Sequence, residues 1–194
     1  MRKLKQEQDY RNYRWFLTSD KKLVVGGKSD SQNEFVIKNF LKPEYTIMHT
    51  TLPGSPFMII LSNNPSKKDL DETAIFTACF SKQWKNTSSD IEIDIFKGSQ
   101  IYKTKSMKLG TLGVKGDKKT VKVKPKLVLI IQKGKFRAVP DTIKEKVLAE
   151  IKRGNLSKQE AAEKLAKKIR DKFHFPVHKD EIMKAIPSDK LSVK

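Results

Sequence analysis

A chain of 194 residues with 37% hydrophobic side chains can form one domain of ordinary size and an appendage. Lys and Arg number 41 against 22 Asp and Glu, a formal charge of +19, which favours polyanionic partners. The one cysteine, Cys79, excludes an internal disulfide, and neither a membrane-length apolar run nor a signal peptide is present, so we expect a cytoplasmic protein without a membrane partner.

The N-terminal part predicts a tail followed by a hairpin. Residues 1–12 are charged and lack apolar periodicity, which predicts a basic tail or a short helix. Residues 15–17 and 23–25 predict two short strands joined by a turn at Asp20-Lys21. Gly26-Gly27 follows, where glycine lets the backbone adopt a positive φ or approach another group closely.

A helix is predicted directly after the glycine pair. Ser31 and Glu34 have the spacing of a capping box, and Val36, Ile37 and Phe40 follow at helical spacing. A helix N-terminus offers free amides and the positive end of the helix dipole. The segment therefore predicts a turn that binds an anion at a helix N-terminus.

Two more strands, residues 45–49 and 57–61, flank a turn at residues 50–56. The turn places His49 beside several hydroxyl and amide groups. A histidine satisfied by backbone carbonyls is the favoured interpretation. A hydrolase is weakly supported, because Ser55 has neither a G-x-S-x-G context nor an orienting carboxylate.

The next element predicts a central helix. Ser66 is expected to cap it, and its apolar residues up to Trp84 leave little of its surface for water. Two interpretations of Trp84 remain open. It is either a core aromatic or a ring that stacks on a base between Lys82 and Lys85.

Strict alternation over residues 91–96 predicts a strand with Glu92 and Asp94 on its solvated face. Paired carboxylates suit a metal-dependent nuclease, but the E-x-K step of the common restriction-type nucleases is absent. The solvated face is therefore favoured over a metal site, and no cofactor is expected.

Residues 101–140 hold twelve basic side chains and one acidic one, Asp117. Within them, residues 111–114 and 120–123 predict a hairpin around Gly116, and residues 127–131 predict a strand buried on both faces. The elements together predict an α+β fold, a mostly antiparallel mixed sheet with two packed helices.

Beyond Pro140 a helical C-terminal extension is predicted. Ile143, Val147, Leu148 and Ile151 form a helical stripe that ends at Gly154. A second helix is predicted from a capping box at Ser157 and Glu160, and a third over residues 180–185. The first two have the spacing of a helix-turn-helix, so DNA binding by this extension is an alternative.

Several separated motifs resemble the NFACT-R domain, the RNA-binding domain of the NFACT proteins, which include ribosome quality-control factors. The motifs are Tyr13-Arg14-Trp15-Phe16, Ser19-Asp20, Gly26-Gly27, Gln32-Asn33-Glu34, His49, Pro53-Gly54-Ser55-Pro56, residues 76–85 and residues 110–116. The chain departs from the family pattern at Lys28 and at Thr50-Thr51. The other domains of the large NFACT proteins do not fit in 194 residues. The resemblance therefore implies a stand-alone RNA-binding module in residues 13–140, between the tail at 1–12 and the extension at 141–194.

The resulting hypothesis is a non-enzymatic module that binds rRNA or tRNA, or ribosomal subunits, in translation-associated quality control. Lysines supply phosphate contacts and aromatic rings stack on unpaired bases. A metal- or His49-dependent nuclease or hydrolase remains the rival, and the oligomeric state stays open. The predicted RNA-binding residues are Arg14, Gly26, Gly27, Lys28, Asn33, His49, Gly54, Ser55, Lys82, Trp84, Lys85, Lys103, Lys105, Lys115, Lys119 and Lys122.

Overall fold

The computed structural model describes residues 10–87 and 89–194, so the predicted tail at residues 1–9 lies outside the described part. Tyr10–Asn12 forms a 3-10 turn. The helices are α1 (Asp30–Phe40), α2 (Lys67–Cys79), α3 (Gln83–Asn86), α4 (Lys158–Phe173) and α5 (Lys179–Ala185). The strands are β1 (Arg14–Leu17), β2 (Leu23–Gly26), β3 (Thr46–Thr50), β4 (Met58–Ile60), β5 (Ile91–Lys97), β6 (Ile101–Tyr102), β7 (Gly113–Val114), β8 (Lys119–Val123), β9 (Leu127–Gln132), β10 (Lys135–Pro140), β11 (Ala149–Leu156) and β12 (Leu191–Val193). Helices combined with antiparallel sheets confirm the predicted α+β class.

The larger sheet has six strands in the order β1-β2-β4-β3-β5-β8, and each neighbouring pair is antiparallel. The predicted β1–β2 hairpin is confirmed, with Trp15 opposite Val25 and Phe16 opposite Val24. Successive side chains of a strand point to opposite faces. Trp15 and Val25 therefore enter one apolar cluster, and Phe16 and Val24 enter another.

Each face of this sheet is covered by a helix. Val36 and Phe40 of α1 pack on the Trp15 face, and Ala74 and Phe76 of α2 pack on the Phe16 face. The second side of α2 contacts the smaller sheet through Val128. The predicted central helix is confirmed, although it ends at Cys79 and Trp84 lies on the separate helix α3.

The glycine pair after β2 is required by close packing. A Cβ on Gly26 would overlap the Met58 thioether, and one on Gly27 would overlap the backbone and side chain of Asn33. Neither glycine has a positive φ. Glycine is therefore required at these two positions because neighbouring atoms approach the backbone closely, and not because of a positive φ.

The start of α1 differs from the prediction by two residues. Ser29, not Ser31, is the N-cap, and its Oγ accepts a hydrogen bond from the Gln32 amide. Gln32 Oε1 in turn accepts from the Lys28 amide at 3.0 Å. The predicted capping box between Ser31 and Glu34 is therefore not formed, since Ser29 caps the helix and Glu34 instead accepts hydrogen bonds from Lys103 and Gly110.

The predicted hairpin around Gly116 is wrong. β7 pairs with β6, placing Val114 opposite Ile101, while β8 pairs with β5, placing Val121 opposite Ile93. Val121 packs in the α2 cluster and Val114 in the α1 cluster. The two strands are separated because their apolar side chains are buried on opposite faces of the sheet.

The smaller sheet contains four strands in the order β10-β9-β11-β12, and its third strand replaces a predicted helix. Ile151 of β11 pairs with Leu127, and Ala149 pairs with Leu129. Gly154 does not end a helix. Its backbone approaches Leu191 so closely that a Cβ would overlap that residue. Pairing with a fully buried strand therefore overrides the local helical spacing.

The C-terminal helices α4 and α5 pack on this smaller sheet. The predicted capping box between Ser157 and Glu160 is confirmed, and Leu165 and Ile169 are buried against β9 and β11. Because β11 is a strand, the predicted helix-turn-helix loses its first helix. The predicted boundary between a domain at residues 13–140 and an extension at residues 141–194 stays a prediction. Strands from both sides of residue 140 pair in this smaller sheet.

Candidate nucleic-acid interface

Three backbone amides around the N-terminus of α1, where an anion site is predicted, are hydrogen-bonded within the turn itself. The Lys28 amide donates to Gln32 Oε1, the Gln32 amide to Ser29 Oγ at 3.3 Å, and the Asn33 amide to the Ser29 carbonyl at 2.8 Å. Asp30 adds a negative charge in the first turn. The turn is therefore capped internally, and Asn33 is buried beneath it with 7% exposure.

The lysine-rich segment folds over α1. We call residues 101–114, which contain β6 and β7, the ribbon. Lys103 Nζ contacts Glu34 at 2.5 Å and also donates to two ribbon carbonyls. Gly110, with φ +78°, donates its amide to Glu34 at 2.8 Å. The pKa of Glu34 lies below its usual value, and the hydrogen bond from Lys103 is the largest cause of this shift. Lys103 is therefore neutralised and holds the ribbon in place.

Other predicted lysines remain available to a ligand. Lys105, Lys115 and Lys119 make no ion pair with a carboxylate of the described residues. The Lys115 ammonium lies 5.2 Å from the centre of the Tyr102 ring, which is 36% exposed. A cation beside a partly exposed ring is an arrangement that suits an unpaired nucleotide. Lys122, by contrast, pairs with Glu92 at 3.4 Å.

The loop between β3 and β4 is held by its own polar groups. Ser55 Oγ accepts a hydrogen bond from the Thr50 amide at 2.9 Å. Gly54 has φ +106°, and its carbonyl accepts from the Lys82 amide at 2.7 Å. Gly54 and Ser55 therefore shape the loop, and the Lys82 stem packs against Gly54.

His49 stacks on Phe57 with 4.4 Å between ring centres. Its Nδ1 lies 2.6 Å from the Thr50 carbonyl oxygen. Burial lowers the pKa of His49, and the hydrogen bond to Thr50 opposes that shift. The ring is therefore a backbone-satisfied histidine, and it makes no hydrogen bond to Ser55 of the kind a hydrolase needs.

Asp94 is buried, which corrects its predicted place on a solvated face. The carboxylate contacts Lys118 Nζ at 2.6 Å and accepts from Thr120 at 2.6 Å and Thr51 at 3.0 Å. Burial raises the pKa of Asp94, but the hydrogen bonds from Lys118 and Thr120 outweigh burial and leave the pKa below its usual value. Its neighbour Glu92 is exposed as predicted. Within the described residues, no group of His, Cys, Asp and Glu has the geometry of a metal site.

Trp84 is fully buried, so the predicted stacking of a base on its ring is wrong. Its indole nitrogen donates to the Asp189 carbonyl at 3.2 Å, which ties α3 to the turn before β12. Lys85 lies 3.7 Å from the Asp189 carboxylate. Trp15 is likewise a core residue.

Arg14 and Lys28 lie at the end of the larger sheet where β1 begins and β2 ends. The Arg14 guanidinium sits 4.7 Å from the centre of the Phe80 ring, and burial lowers the pKa of Arg14 to about 10. Lys28 Nζ donates to the Asn12 carbonyl at 2.8 Å. Neither cation has a carboxylate partner among the described residues.

Sequence reasoning missed three cations that the fold brings towards Arg14 and Lys28. These are Arg137 on β10, Lys158 at the start of α4 and Lys184 on α5. The signal for Arg137 was an arginine within the otherwise apolar segment 136–140. Nothing local distinguishes Lys158 and Lys184 from other lysines of amphipathic helices.

The predicted residues fall into separate regions. β2 and β8 are four positions apart in the strand order, roughly 19 Å at the usual strand spacing. Arg14 and Lys28 lie at one edge of the sheet, and Lys119 and Lys122 at the other. The ribbon lies between them on the α1 face, where Gly110 reaches Asp30.

A family model described as the NFACT protein RNA binding domain matches residues 12–116. The ribosome quality control complex subunit NEMF of Homo sapiens is 29% identical over 80 residues, covering 39% of this chain and 7% of NEMF. The archaeal Rqc2 homolog aRqcH of Methanocaldococcus jannaschii is 27% identical over 120 residues, covering 59% of this chain and 18% of aRqcH. The chain therefore matches a small part of these relatives.

The fold is also similar to a solved structure, the C-terminal part of the fibronectin/fibrinogen-binding protein from Streptococcus suis. The TM-score is 0.53 at 25% identity, over 58% of this chain and 45% of that chain. None of the helices in the described part of this chain is long and apolar enough to cross a membrane. With the family model matching more than half of the sequence, in the segment that carries the glycine pair, the β3–β4 loop and the ribbon, this chain belongs to the NFACT-R family.

Proposed function

We propose that the chain is a non-enzymatic RNA-binding module that acts on structured RNA such as rRNA or tRNA, or on ribosomal particles, in translation-associated quality control. The observation that carries the proposal is the match of residues 12–116 to an RNA-binding domain family. Relatives named as ribosome quality control subunits supply the ribosomal context.

The charge distribution supports this proposal. The net charge is +19, and Lys105, Lys115 and Lys119 have no carboxylate partner among the described residues. A lysine already paired with a carboxylate gains less from a phosphate than one surrounded by water. The unpaired lysines therefore supply most of the counterion release when RNA binds, and the partly exposed Tyr102 ring offers a stacking surface.

The test is the salt dependence of RNA binding. Fluorescence anisotropy with a labelled RNA hairpin and with a single strand, from low to moderate KCl, measures the slope of log K against log salt. Each phosphate contact contributes a slope of about −0.7 to −0.9, so five contacts give a slope of about −4. A salt-independent affinity, or no binding to either RNA, contradicts the proposal.

Charge reversal locates the surface. The triple variant Lys105→Glu, Lys115→Glu, Lys119→Glu is expected to weaken binding to all RNA sequences alike and to make the salt slope shallower. A matched variant reverses the same number of exposed lysines elsewhere, at Lys67, Lys68 and Lys144. Lys67 and Lys68 begin α2, on the opposite face of the sheet from the ribbon. Equal losses in the two variants would mean that net charge alone governs binding.

A further inference from the structure

Five basic side chains meet where the larger sheet, the smaller sheet and the C-terminal helices come together. We call them the seam cluster. They are Arg14, Lys28, Arg137, Lys158 and Lys184. The two sheets are joined near this place by the Gln132 side chain, which bonds both the amide and the carbonyl of Leu17 at 2.9 and 2.8 Å. Helix α5 packs against β10, which brings Lys184 towards Arg137.

The members of the cluster lie within electrostatic reach of one another. Burial lowers the pKa of Lys28, and the charges of Arg14, Arg137 and Lys184 lower it further. Burial also lowers the pKa of Lys158, and Arg14 and Lys28 act in the same direction while Asp189 opposes them. Lys28 is therefore close enough to Arg14, Arg137 and Lys184 to be repelled by their charges, and Lys158 is close enough to Arg14 and Lys28.

The guanidinium groups of the two arginines lie over aromatic rings. The Arg14 guanidinium lies 4.7 Å from the Phe80 ring centre, and the Arg137 guanidinium lies 4.3 Å from the Trp15 ring centre. The Nε atoms of both arginines are buried and have no hydrogen-bond partner among the described residues. A guanidinium stacked in this way keeps the donors at its edge for a planar or tetrahedral anion.

An uncompensated cluster of this kind is unfavourable in the free protein. Arg14, Arg137 and Lys158 are half-buried, whereas Lys28 and Lys184 are exposed, and partly removing an unpaired charge from water costs free energy. Burial alone lowers the pKa of Arg14 to about 10 and is the main cause of the same shift in Arg137. The buried carboxylate of Asp94, by contrast, is paired with Lys118 at 2.6 Å.

The nearby carboxylate does not neutralise the cluster. Asp189 accepts a hydrogen bond from the Lys158 amide at 3.0 Å and lies 3.7 Å from Lys85 Nζ. Its charge acts on Lys158 but is not among the influences on Arg14, Lys28 or Arg137. None of the five cations forms an ion pair with a carboxylate of the described residues, so the cluster can accept negative charge from a bound anion.

We propose that the seam cluster is a phosphate-binding site, with Arg14 and Arg137 as the guanidinium donors and Lys28, Lys158 and Lys184 as surrounding charges. Phosphate matches the forked donors of arginine and carries the charge that the cluster lacks. The choice of an RNA phosphate as the occupant rests on the proposed RNA-binding function, whereas the site itself does not. Three of the five residues follow residue 116, so the site is completed by a part of the chain outside the family match.

Thermal unfolding tests the site without RNA. Pyrophosphate and inorganic phosphate, compared with chloride at equal ionic strength, are expected to raise the melting temperature of the wild-type protein. The double variant Arg14→Met, Arg137→Met keeps an unbranched stem over each ring and should lose this rise. Without phosphate it should melt at the same temperature as the wild type or higher, because two half-buried charges that have no carboxylate partner among the described residues are removed.

A matched control separates loss of the site from loss of any arginine. Arg170 Nη1 donates to the Val177 carbonyl at 2.7 Å, so Arg170→Met should lower the melting temperature and keep the rise with pyrophosphate. If the double variant does not fold, the exposed pair Lys28→Met, Lys184→Met replaces it, and the rise should then shrink. A wild-type protein that no phosphate probe stabilises, or a double variant that phosphate stabilises fully, overturns the site.

RNA binding separates the two proposals. The double variant is expected to bind RNA about tenfold more weakly or worse, since each lost charge-assisted bond is worth that much. If the triple variant at Lys105, Lys115 and Lys119 weakens RNA binding and the double variant does not, the RNA-binding function stands and the seam site is rejected as its phosphate contact. If no RNA binds but pyrophosphate stabilises the wild type alone, the site stands with a free phosphate compound as its ligand.

Discussion

Asp94 is expected to be one of the strongest single contributors to the stability of the larger sheet. Its side chain is 6% exposed, and it binds Lys118 on one oxygen and Thr120 and Thr51 on the other. Hydrogen bonds to a charged group contribute about 1.5–3 kcal/mol each. Asp94→Asn keeps the shape and an acceptor for one hydroxyl but loses the charge. We expect the free energy of unfolding to fall by about 3 kcal/mol.

The neighbouring carboxylate on the same strand is a matched control. Glu92 pairs with Lys122 at 3.4 Å across the same two strands, but both side chains are exposed. Exposed pairs contribute about 0–1 kcal/mol, so Glu92→Gln should change stability very little. For a chain of this length, the Asp94 variant should melt roughly 6–12 °C lower than the wild type, and the Glu92 variant within about 3 °C.

A double-mutant cycle with Lys118→Met measures the pair itself. We expect a coupling energy of about 1–2 kcal/mol at pH 7 between positions 94 and 118. Because the folded pKa of Asp94 lies below its usual value, this stability is present above the unfolded pKa of about 4 and is lost as the pH falls through the folded pKa. Urea unfolding at pH 7 and at pH 3 is the assay. Zero coupling, or the same loss at both pH values, refutes the reasoning.

Three further outcomes are expected. Trp84→Phe removes the bond to the Asp189 carbonyl and should lower stability by about 1–3 kcal/mol in urea unfolding, with RNA affinity unchanged. Gly27→Ala forces a Cβ against the Asn33 backbone and should lower the melting temperature, whereas Gly134→Ala, with open space at its Cβ, should cost only its positive φ. His49 has a lowered pKa, so the unfolded chain binds more protons between the folded value and about 6.5. Stability should therefore fall from pH 7 to pH 5, and His49→Gln should reduce that fall.

Elements whose signals are local were predictable from the sequence. The β1–β2 hairpin depends on a short turn between apolar segments, and α4 depends on the Ser157 capping box and an apolar stripe. The strand β8 was predicted with the wrong partner strand, and β11 was predicted as a helix. In both cases the actual partner strand is distant in sequence. Val121 pairs with Ile93, and Ile151 pairs with Leu127. The spacing of apolar residues within one segment does not indicate which distant strand that segment pairs with.

The candidate sites follow the same division. The glycine pair and the lysine-rich ribbon are visible as composition, so their residues were named from the sequence. The seam cluster combines positions 14, 28, 137, 158 and 184, which no sequence window contains. Trp84 was misjudged for a related reason. Its partner, the carbonyl of Asp189, comes from the far end of the chain.

The C-terminal part is structurally necessary to the family-matched segment, since it covers a face of α2 that the larger sheet leaves open. Phe76 packs with Phe16 on the larger sheet, while Val128 and Ile130 reach the same cluster from β9. On the other face of β9, Leu127 and Leu129 are buried beneath α4. The strand β9 and the helix α4 both follow residue 116, where the family match ends. The family segment alone would therefore expose its central helix, and the same contacts that cover this helix bring Arg137 and Lys158 to Arg14.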